Sequence, residues 1–323
     1  MRPPAQRATV LSGGVGGVKL VEGLCEILDP ADVAVICNTG DDLEMWGLHV
    51  SPDVDTVLYT LSGLVNRDHG WGVDSESFQA LEMMERLGEP TWFLLGDRDL
   101  GTHLFRTRRL REGARLTEVV ADLAAGLGLR CRVLPVTDDR LRTIVTTPDG
   151  DLDFQTYFVR RRFEPPVTAV RFDGAEAALP TPEALAAVLG AETVVIAPSN
   201  PVASVGPMLA VRGFRTALAQ TPAVRIAVCP LIGGEAVKGP TVPMMESAGL
   251  PVSPAGVAQA YDGLIDAMVI DRQDVSFRAE LELAFGLRVL VTDTLMEGFE
   301  GRLRLAAEVL DFRASLAPAR FER

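Results

Sequence analysis

The chain alternates short apolar runs with stretches in which apolar residues recur at helical spacing. The runs span four or five residues and are rich in β-branched side chains, which is typical of strands buried in a parallel sheet. A turn-forming residue follows each run. We therefore predict core strands at Ala8–Leu11, Val33–Cys37, Trp92–Leu95, Arg132–Val136, Thr193–Ala197, Arg225–Cys229, Ala267–Ile270 and Arg288–Val291.

Helices are predicted between these strands. Leu20, Leu24 and Ile27 mark the first, at the spacing of one helix face. Alternation of strands and helices is typical of a mostly parallel sheet with helices on both faces. The other predicted helices are Val57–Val65, Ser77–Leu87, Leu116–Leu127, Pro182–Leu189, Phe214–Ala219, Ala255–Ile265, Phe277–Phe285 and Arg302–Leu316.

Residues 141–178 depart from this alternation. Three β-rich runs follow one another there without a helix: Thr143–Thr147, Leu152–Val159 and Val167–Phe172. Consecutive strands joined by turns favour antiparallel pairing. The sequence thus predicts one Rossmann-like α/β domain over residues 1–323, with a small antiparallel β insertion at about residues 141–178.

A glycine-rich loop, Ser12-Gly13-Gly14-Val15-Gly16-Gly17, joins the first strand to the first helix. Glycines let a ligand approach the backbone, and the first N–H groups of a helix attract anions. The loop matches neither G-x-x-x-x-G-K-[ST] nor G-x-G-x-x-G, so another phosphate or nucleotide site is favoured over a plain dinucleotide site. Lys19 and Lys238, the only lysines, both lie in glycine-rich segments; chance placement is the alternative interpretation.

Four carboxylates follow the second strand: Asp41 and Asp42 directly, then Asp53 and Asp55 before the next helix. Open α/β sheets bind ligands at the carboxyl ends of their strands. Beside a phosphate loop, carboxylates indicate magnesium held between protein and phosphate oxygens. The alternative is that these side chains cap helices and face water, and for Asp55 we take capping and function as rival hypotheses.

Two further polar segments have two interpretations each. In Gly96–His103, aspartates alternate with Arg98, which predicts either ligand contacts at a strand end or an ion pair that orders a loop. Arg160-Arg161-Arg162 is the densest basic patch of the chain. It predicts either a solvated sheet edge or a contact for an acidic group of a ligand.

Composition narrows the function classes. The net charge of −13 argues against general nucleic-acid or membrane-surface binding, which need a basic footprint. The four cysteines show no CxxC spacing, which argues against a zinc site and a disulfide framework. No apolar run is long enough to cross a bilayer and the start has no signal-peptide core, so we predict a cytoplasmic protein.

Six blocks in order along the chain resemble the 2-phospho-L-lactate transferases of coenzyme F-420 biosynthesis. They are the glycine loop, Asn38-Thr39-Gly40-Asp41-Asp42, Ser51–Tyr59, Gly96–His103, Ala197–Pro207 and Asp293-Thr294-Leu295-Met296. The resemblance implies transfer of a phospho-lactyl or phospho-enolpyruvyl unit from a guanosine diphospho-linked donor to the ribityl hydroxyl of the deazaflavin Fo. GMP leaves, magnesium assists, and the family suggests a homodimer. The sequence leaves lactate, enolpyruvate and glycerate open as the acid of the donor.

The resemblance and the motifs together imply roles for particular residues. Asp41, Asp42 and Asp55 are the predicted catalytic residues and magnesium ligands. The donor side is predicted to comprise Gly13, Gly14, Gly16, Gly17, Lys19, Ser199, Asn200, Gly206 and Lys238. The Fo side is predicted to comprise Asp53, Trp46, Trp71, Arg98, Asp99 and His103, the two tryptophans as stacking surfaces with ordinary packing as the alternative.

Two rival functions stay open. A nucleotide-sugar-binding regulatory protein of the related superfamily shares the glycine loop and the Asp-Asp pair but lacks the transfer activity. The later Pro-Asp-x-Asp-Thr block argues against it. An NAD-dependent oxidoreductase is less favoured, because no acidic residue stands clearly at the end of a second strand as a ribose partner.

Overall fold

The computed structural model describes residues 7–237 and 239–316. Seven parallel strands form the central sheet, in the order β5-β2-β1-β9-β10-β13-β14. Taken along the chain, the first six follow the Rossmann order, which confirms the predicted fold class. The strands are β1 Ala8–Ser12, β2 Val33–Cys37, β3 Leu43–Met45, β4 Leu48–Val50, β5 Arg132–Pro135, β6 Arg142–Thr147, β7 Gly150–Asp153, β8 Ala169–Asp173, β9 Thr193–Ile196, β10 Val224–Val228, β11 Leu231–Ile232, β12 Glu235–Ala236, β13 Ala267–Asp271 and β14 Arg288–Thr292.

Helices cover both faces of the sheet because both faces of its strands are apolar. Leu11, Ile36 and Ile196 pack into one core, whereas Val10 and Val35 pack into the other. Helices α6, α8, α10 and α11 contribute to the first core, and α1, α2, α5 and α12 to the second. The helices are α1 Gly14–Ile27, α2 Pro52–Leu61, α3 Gln79–Arg86, α4 Asp97–Arg111, α5 Leu116–Gly126, α6 Pro182–Gly190, α7 Val205–Ala210, α8 Phe214–Gln220, α9 Thr241–Ser247, α10 Pro254–Ala260, α11 Arg278–Ala284 and α12 Gly298–Ser315.

The strand order reverses between β1 and β9. The chain proceeds outward from β1 through β2 to β5, and later from β9 through β10 to β14. The loops that follow β1 and β9 therefore leave the sheet side by side and turn to opposite faces. In open α/β sheets this point is where ligands bind.

The predicted β insertion is an antiparallel sheet in the order β7-β6-β8. Its second predicted strand is too long, because β7 ends at Asp153 and a π-helical turn, Thr156–Arg160, follows it. Two further antiparallel hairpins, β3-β4 and β11-β12, lie outside the central sheet.

Two elements near the acidic segment differ from the prediction. The apolar run Trp92–Leu95 is an irregular segment and not a strand. The polar segment after it, Gly96–His103, is not a loop at a sheet end, because α4 begins at Asp97. Helix α2 begins at Pro52, five residues before the predicted start, so Asp53 and Asp55 both lie in its first turn.

No helix within residues 7–237 or 239–316 combines the length and the apolar character needed to cross a bilayer.

Candidate active site

A cavity of about 980 Å³ lies at the point where the strand order reverses. This volume is at the upper end of the range usual for small-molecule sites, about 300–1,000 Å³. The loops after β1 and β9, the first turn of α2 and the insertion all contribute to its wall. Of the predicted site residues, those that line it are Gly13, Gly14, Gly16, Lys19, Asp41, Asp53, Asp55, Trp71, Asp99, His103, Ser199 and Asn200.

The glycine loop places the N-terminus of α1 against the cavity. Gly13 precedes the helix without a side-chain cap, and its N–H donates to Ser199 Oγ at 3.2 Å. Gly14 has a φ of 67°, in the left-handed region that disfavours other residues. A Cβ on Gly16 would lie 2.6 Å from the carbonyl oxygen of Pro198. The two loops therefore pack backbone to backbone, which leaves helix N–H groups facing the cavity.

The remaining donor-side predictions lie elsewhere. A Cβ on Gly17 would lie 2.5 Å from Ser12 Oγ and 2.6 Å from Ser199 Oγ, behind the cavity wall. Gly206 packs against Phe172 and does not line the cavity. Both glycines therefore serve loop packing. Lys238 lies outside the described residues.

We expect Gly16→Ala to weaken binding of a phosphate-bearing ligand about tenfold. The new methyl group displaces the loop after β9, although alanine favours helices over glycine by about 1 kcal/mol. Calorimetric titration with GDP measures the change. Gly101→Ala is the matched control, because it adds the same group inside α4 with nothing within 4 Å. Equal GDP affinity in the two variants would contradict a role of the loop contact in binding.

Asn38 joins two carboxylates at the cavity wall. Its Nδ2 donates to Asp53 Oδ2 at 3.0 Å and lies 3.3 Å from Asp41 Oδ1. The other oxygen of Asp53 accepts the N–H of Gly14 at 2.5 Å, and the other oxygen of Asp41 accepts Nε2 of Gln155 at 2.9 Å. The carboxylates are thus fixed between the glycine loop and the insertion.

The surroundings of Asp41 and Asp53 disfavour the charged form of both. Burial, followed by the charges of Asp53 and Asp42, raises the pKa of Asp41 well above its usual range. Burial also raises the pKa of Asp53 to about 6, although the hydrogen bonds from Asn38 and Gly14 oppose that effect. Grouped carboxylates of this kind gain stability when a cation binds beside them.

Asp42 has contacts different from those of Asp41 and Asp53. Its Oδ2 accepts hydrogen bonds from Ser51 at 3.0 Å and lies 2.9 Å from Nε2 of His49. Its Oδ1 is buried and has no hydrogen-bond partner among the described residues. A buried carboxylate oxygen in this state is a donor atom available to a metal ion.

Asp55, the third predicted magnesium ligand, lines the cavity and forms a buried ion pair. Both its oxygens accept hydrogen bonds from the guanidinium of Arg106, Oδ2 from Nη1 at 3.1 Å and Oδ1 from Nη2. The Arg106 side chain is fully buried, and that of Asp55 is 7% exposed. Ser51, and not Asp55, is the N-cap residue of α2. The ion pair occupies both oxygens that a magnesium ion would need, so Asp41 and Asp42 are favoured over Asp55 as ligands, and the metal role of Asp55 stays a prediction.

A second buried polar group lies next to this ion pair. Nε2 of His103 lies 3.2 Å from Asp99 Oδ1, which also accepts the Tyr59 hydroxyl at 2.5 Å. Burial raises the pKa of Asp99, but its contacts with His103 and Tyr59 outweigh that effect, so its pKa lies below its usual value. Asp99 and His103 line the cavity, so ligand contacts stay a prediction for these two residues.

The rest of the Gly96–His103 segment is structural. Oδ1 of Asp97 accepts the Ala80 N–H at 2.9 Å at the start of α3. Glu76 accepts the Arg98 N–H at 2.8 Å at the start of α4, and a Cβ on Gly96 would collide with the Glu76 side chain. Nη1 of Arg98 donates to the carbonyl of Asp74 at 2.8 Å, and Arg98 does not line the cavity. Asp97 of α4 thus caps the start of α3, and Glu76, which precedes α3, caps the start of α4. These contacts fix the first two turns of α4, which carry Asp99 and His103.

Aromatic side chains from four segments line the cavity. Trp71 stacks on His69 with ring centroids 5.6 Å apart. Trp46, the other predicted stacking residue, does not line the cavity; its Nε1 donates to the carbonyl of Pro90 at 3.0 Å. The other aromatic side chains of the wall were not among the predicted site residues; besides His69 they are Tyr59, Trp92, Phe93, Phe154, Phe158 and Phe163.

Several cavity-wall residues that were not predicted from the sequence lie in the insertion. Phe154 stacks on Phe158 and Phe158 on Phe163, with ring centroids 5.6 and 5.9 Å apart. Gln155 lines the same wall. The aromatic spacing in Phe154–Phe163 was visible in the sequence, but it was interpreted as part of a strand. A helical interpretation would have brought these rings together.

Magnesium fits this site when phosphate oxygens complete its ligands. No three His, Cys, Asp or Glu side chains within the described ranges converge closely enough to hold a metal ion by themselves. Magnesium commonly takes one or two carboxylates together with substrate phosphates and water. Asp41 lines the cavity together with the glycine loop and is suited to that arrangement. Asp42 does not line the cavity, but its buried Oδ1, without a hydrogen-bond partner among the described residues, is a second candidate oxygen ligand.

The sequence matches a family of known proteins. The sequence profile of the family described as 2-phospho-L-lactate transferase CofD matches residues 8–286. The chain is 44% identical over 308 residues to a 2-phospho-L-lactate transferase of Methanopyrus kandleri, covering 94% of this chain and 96% of that protein. It is 38% identical over 311 residues to a phosphoenolpyruvate transferase of Streptomyces griseus, covering 94% and 98%.

The fold has a solved counterpart. A crystal structure of a UPF0052-family protein from Bacillus halodurans superposes with a TM-score of 0.65 at 17% identity, covering 95% of this chain and all of that one. Identity this low supports the fold alone. The profile match and the relatives of similar length extend through every motif of the cavity wall up to residue 286, and they establish that this chain belongs to the 2-phospho-L-lactate transferase CofD family.

Proposed function

We propose that this protein transfers a phospho-lactyl or phospho-enolpyruvyl group from a guanosine diphospho-linked donor to the ribityl hydroxyl of Fo, with release of GMP, in coenzyme F-420 biosynthesis. The observation that carries the proposal is a single cavity in which a helix N-terminus, fixed carboxylates and aromatic walls meet. The names of the relatives support these two phospho-acid groups, since one is a 2-phospho-L-lactate transferase and another a phosphoenolpyruvate transferase.

We place the diphosphate of the donor on the glycine loop. The N-terminus of α1 supplies N–H groups and a positive dipole end, and Lys19 lines the same wall. Ser199 and Asn200 belong to the facing loop, so they contact the nucleotide from the other side. Phosphoryl-type transfer depends mainly on such positioning and charge neutralisation.

Magnesium is the proposed cofactor, held by Asp41 and Asp42 together with the phosphates of the donor. When bound, it neutralises charge that develops on the transferred phosphoryl group.

Asp53 is the proposed general base. It faces the cavity with a pKa of about 6, so it is ionised at neutral pH and suited to accept the proton of the attacking hydroxyl. Its hydrogen bonds to Gly14 and Asn38 fix the accepting oxygens next to the donor.

We place the deazaflavin ring of Fo between the aromatic walls. Flat heteroaromatic rings gain stability by stacking, and Trp71 and Phe158 offer faces on different segments of the wall. The insertion connects this ring site to the carboxylates through Gln155. A homodimer and a cytoplasmic location remain predictions of the sequence analysis.

Incubation with a guanylated donor, Fo and magnesium tests the function. We expect release of GMP and formation of a phosphodiester-linked deazaflavin, detected by chromatography, with no product when a chelator removes magnesium. Parallel reactions with the lactyl and the enolpyruvyl donor identify which phospho-acid is transferred. A nucleotide-sugar-binding regulatory protein would instead retain a nucleotide without turnover, and that result would overturn the proposal.

A further inference from the structure

Few positively charged side chains line the cavity that is proposed to bind the anionic donor. Of the described residues that line it, only Lys19 and Arg162 have a lysine or arginine side chain. Four aspartates line the same wall: Asp41, Asp53, Asp55 and Asp99. The proposed donor carries two phosphates and a carboxylate, so each lining cation has a large effect on its affinity.

Arg162 is fixed in an unusual backbone conformation. Arg162 and Phe163 have φ values of 50° and 46°, in the left-handed region that side chains other than glycine, asparagine and aspartate rarely adopt. The fully buried Tyr157 holds Phe163, the residue after Arg162, in place: its hydroxyl donates to the carbonyl of Phe163 at 3.3 Å, and its carbonyl accepts the Phe163 N–H at 3.0 Å. Such conformations are energetically unfavourable and persist where surrounding contacts impose them.

The three arginines of the basic patch have different surroundings. Arg161 pairs with Asp149 at 2.8 Å, and neither Arg160 nor Arg161 lines the cavity. Arg162 lines it and makes no ion pair with any residue in the described part of the chain. The patch lies in and after the π-helical turn, so it does not protect a sheet edge as the alternative interpretation required.

We propose that Arg162 binds an anionic group of the donor, either the carboxylate of its acid or a phosphate, and so determines donor affinity from the insertion. The inference rests on the proposed function. A guanidinium recognises carboxylate and phosphate oxygens through paired hydrogen bonds. The guanidinium of Arg162 makes no ion pair with the described residues and lines the cavity. Lys19, on α1, would meet the donor from a different wall.

Calorimetric titration without Fo tests this, because no transfer follows binding. The probes are GDP, which lacks the carboxylate, and enolpyruvyl-diphospho-guanosine, which has it. We expect Arg162→Asn to raise the Kd of the second probe at least tenfold; asparagine suits the left-handed backbone, so the variant should fold. Arg160→Asn is the matched control, with an expected change of less than twofold. Arg162→Lys should recover part of the affinity.

The two probes separate the sources of the anion. Weaker binding of enolpyruvyl-diphospho-guanosine with unchanged GDP binding supports a carboxylate contact, and equal weakening of both supports a phosphate contact. If Arg162→Asn matches Arg160→Asn with both probes, the inference is overturned. If the wild-type protein binds neither nucleotide, the proposed function itself is overturned, and this inference with it.

Discussion

Arg106→Met should lower the free energy of unfolding by about 3–5 kcal/mol, because it leaves the carboxylate of Asp55 buried without its cation. The guanidinium donates hydrogen bonds to both carboxylate oxygens of Asp55, and its Nη1 also donates to the carbonyl of His49 at 3.3 Å. The substitution therefore removes the ion pair and leaves the carboxylate of Asp55 and the carbonyl of His49 buried without the hydrogen bonds from Arg106. Urea denaturation at pH 7 measures the loss.

A second variant on the same helix provides the control. Arg108→Met removes an exposed arginine whose partner Glu112 is also exposed, so we expect a change of less than about 0.5 kcal/mol. Asp55→Asn combined with Arg106→Met should recover most of the stability lost in the single variant, because no uncompensated charge remains. Equal stability of the Arg106→Met and Arg108→Met proteins would contradict the ion pair and leave Asp55 as favoured a metal ligand as Asp41 and Asp42.

The parallel sheet could be predicted because its strands are buried on both faces. Val33–Cys37 has no polar residue to interrupt the apolar run, and it is a strand at the predicted residues. The run Trp92–Leu95 shows the limit of this signal. Leu95 packs on a small cluster with Leu43 and Val50, and Trp92 lines the cavity. An apolar run therefore indicates burial, but it does not identify the element that is buried.

The candidate site was predictable where its residues follow a strand end, and not where distant segments meet. Asp41 and Asp53 lie at the cavity as expected. Arg106 is 51 positions from Asp55, within an arginine-rich segment that resembles a solvated helix face. Gln155 is 114 positions from Asp41. Nothing in the local sequence pairs these residues, because tertiary packing alone brings them together.

Asp41→Asn should lower turnover at least a hundredfold, about 2.7 kcal/mol in the barrier, without destabilising the protein. Asparagine keeps the shape of the side chain, and the Gln155 amide can turn over to accept its NH₂ group. Turnover falls because the variant lacks a charge for magnesium and the transferred phosphoryl group. Steady-state kinetics with a guanylated donor and Fo at saturating magnesium measures the change.

The same variant should be at least as stable as the wild type above pH 5. The raised pKa of Asp41 means that the native state holds a proton which the unfolded chain releases above pH ~4, so the wild type loses stability as the pH rises from there. Asparagine removes this loss, and the difference in unfolding free energy between the variant and the wild type should shrink towards pH 4.

Asp139→Asn is the control. Asp139 belongs to the Asp-Asp pair that follows β5 and does not line the cavity. This substitution should change neither turnover nor the free energy of unfolding, since an amide oxygen can still accept the Leu179 N–H. A stable Asp41→Asn protein with normal turnover would reject the catalytic role, and an unstable one would show that the carboxylate serves the fold.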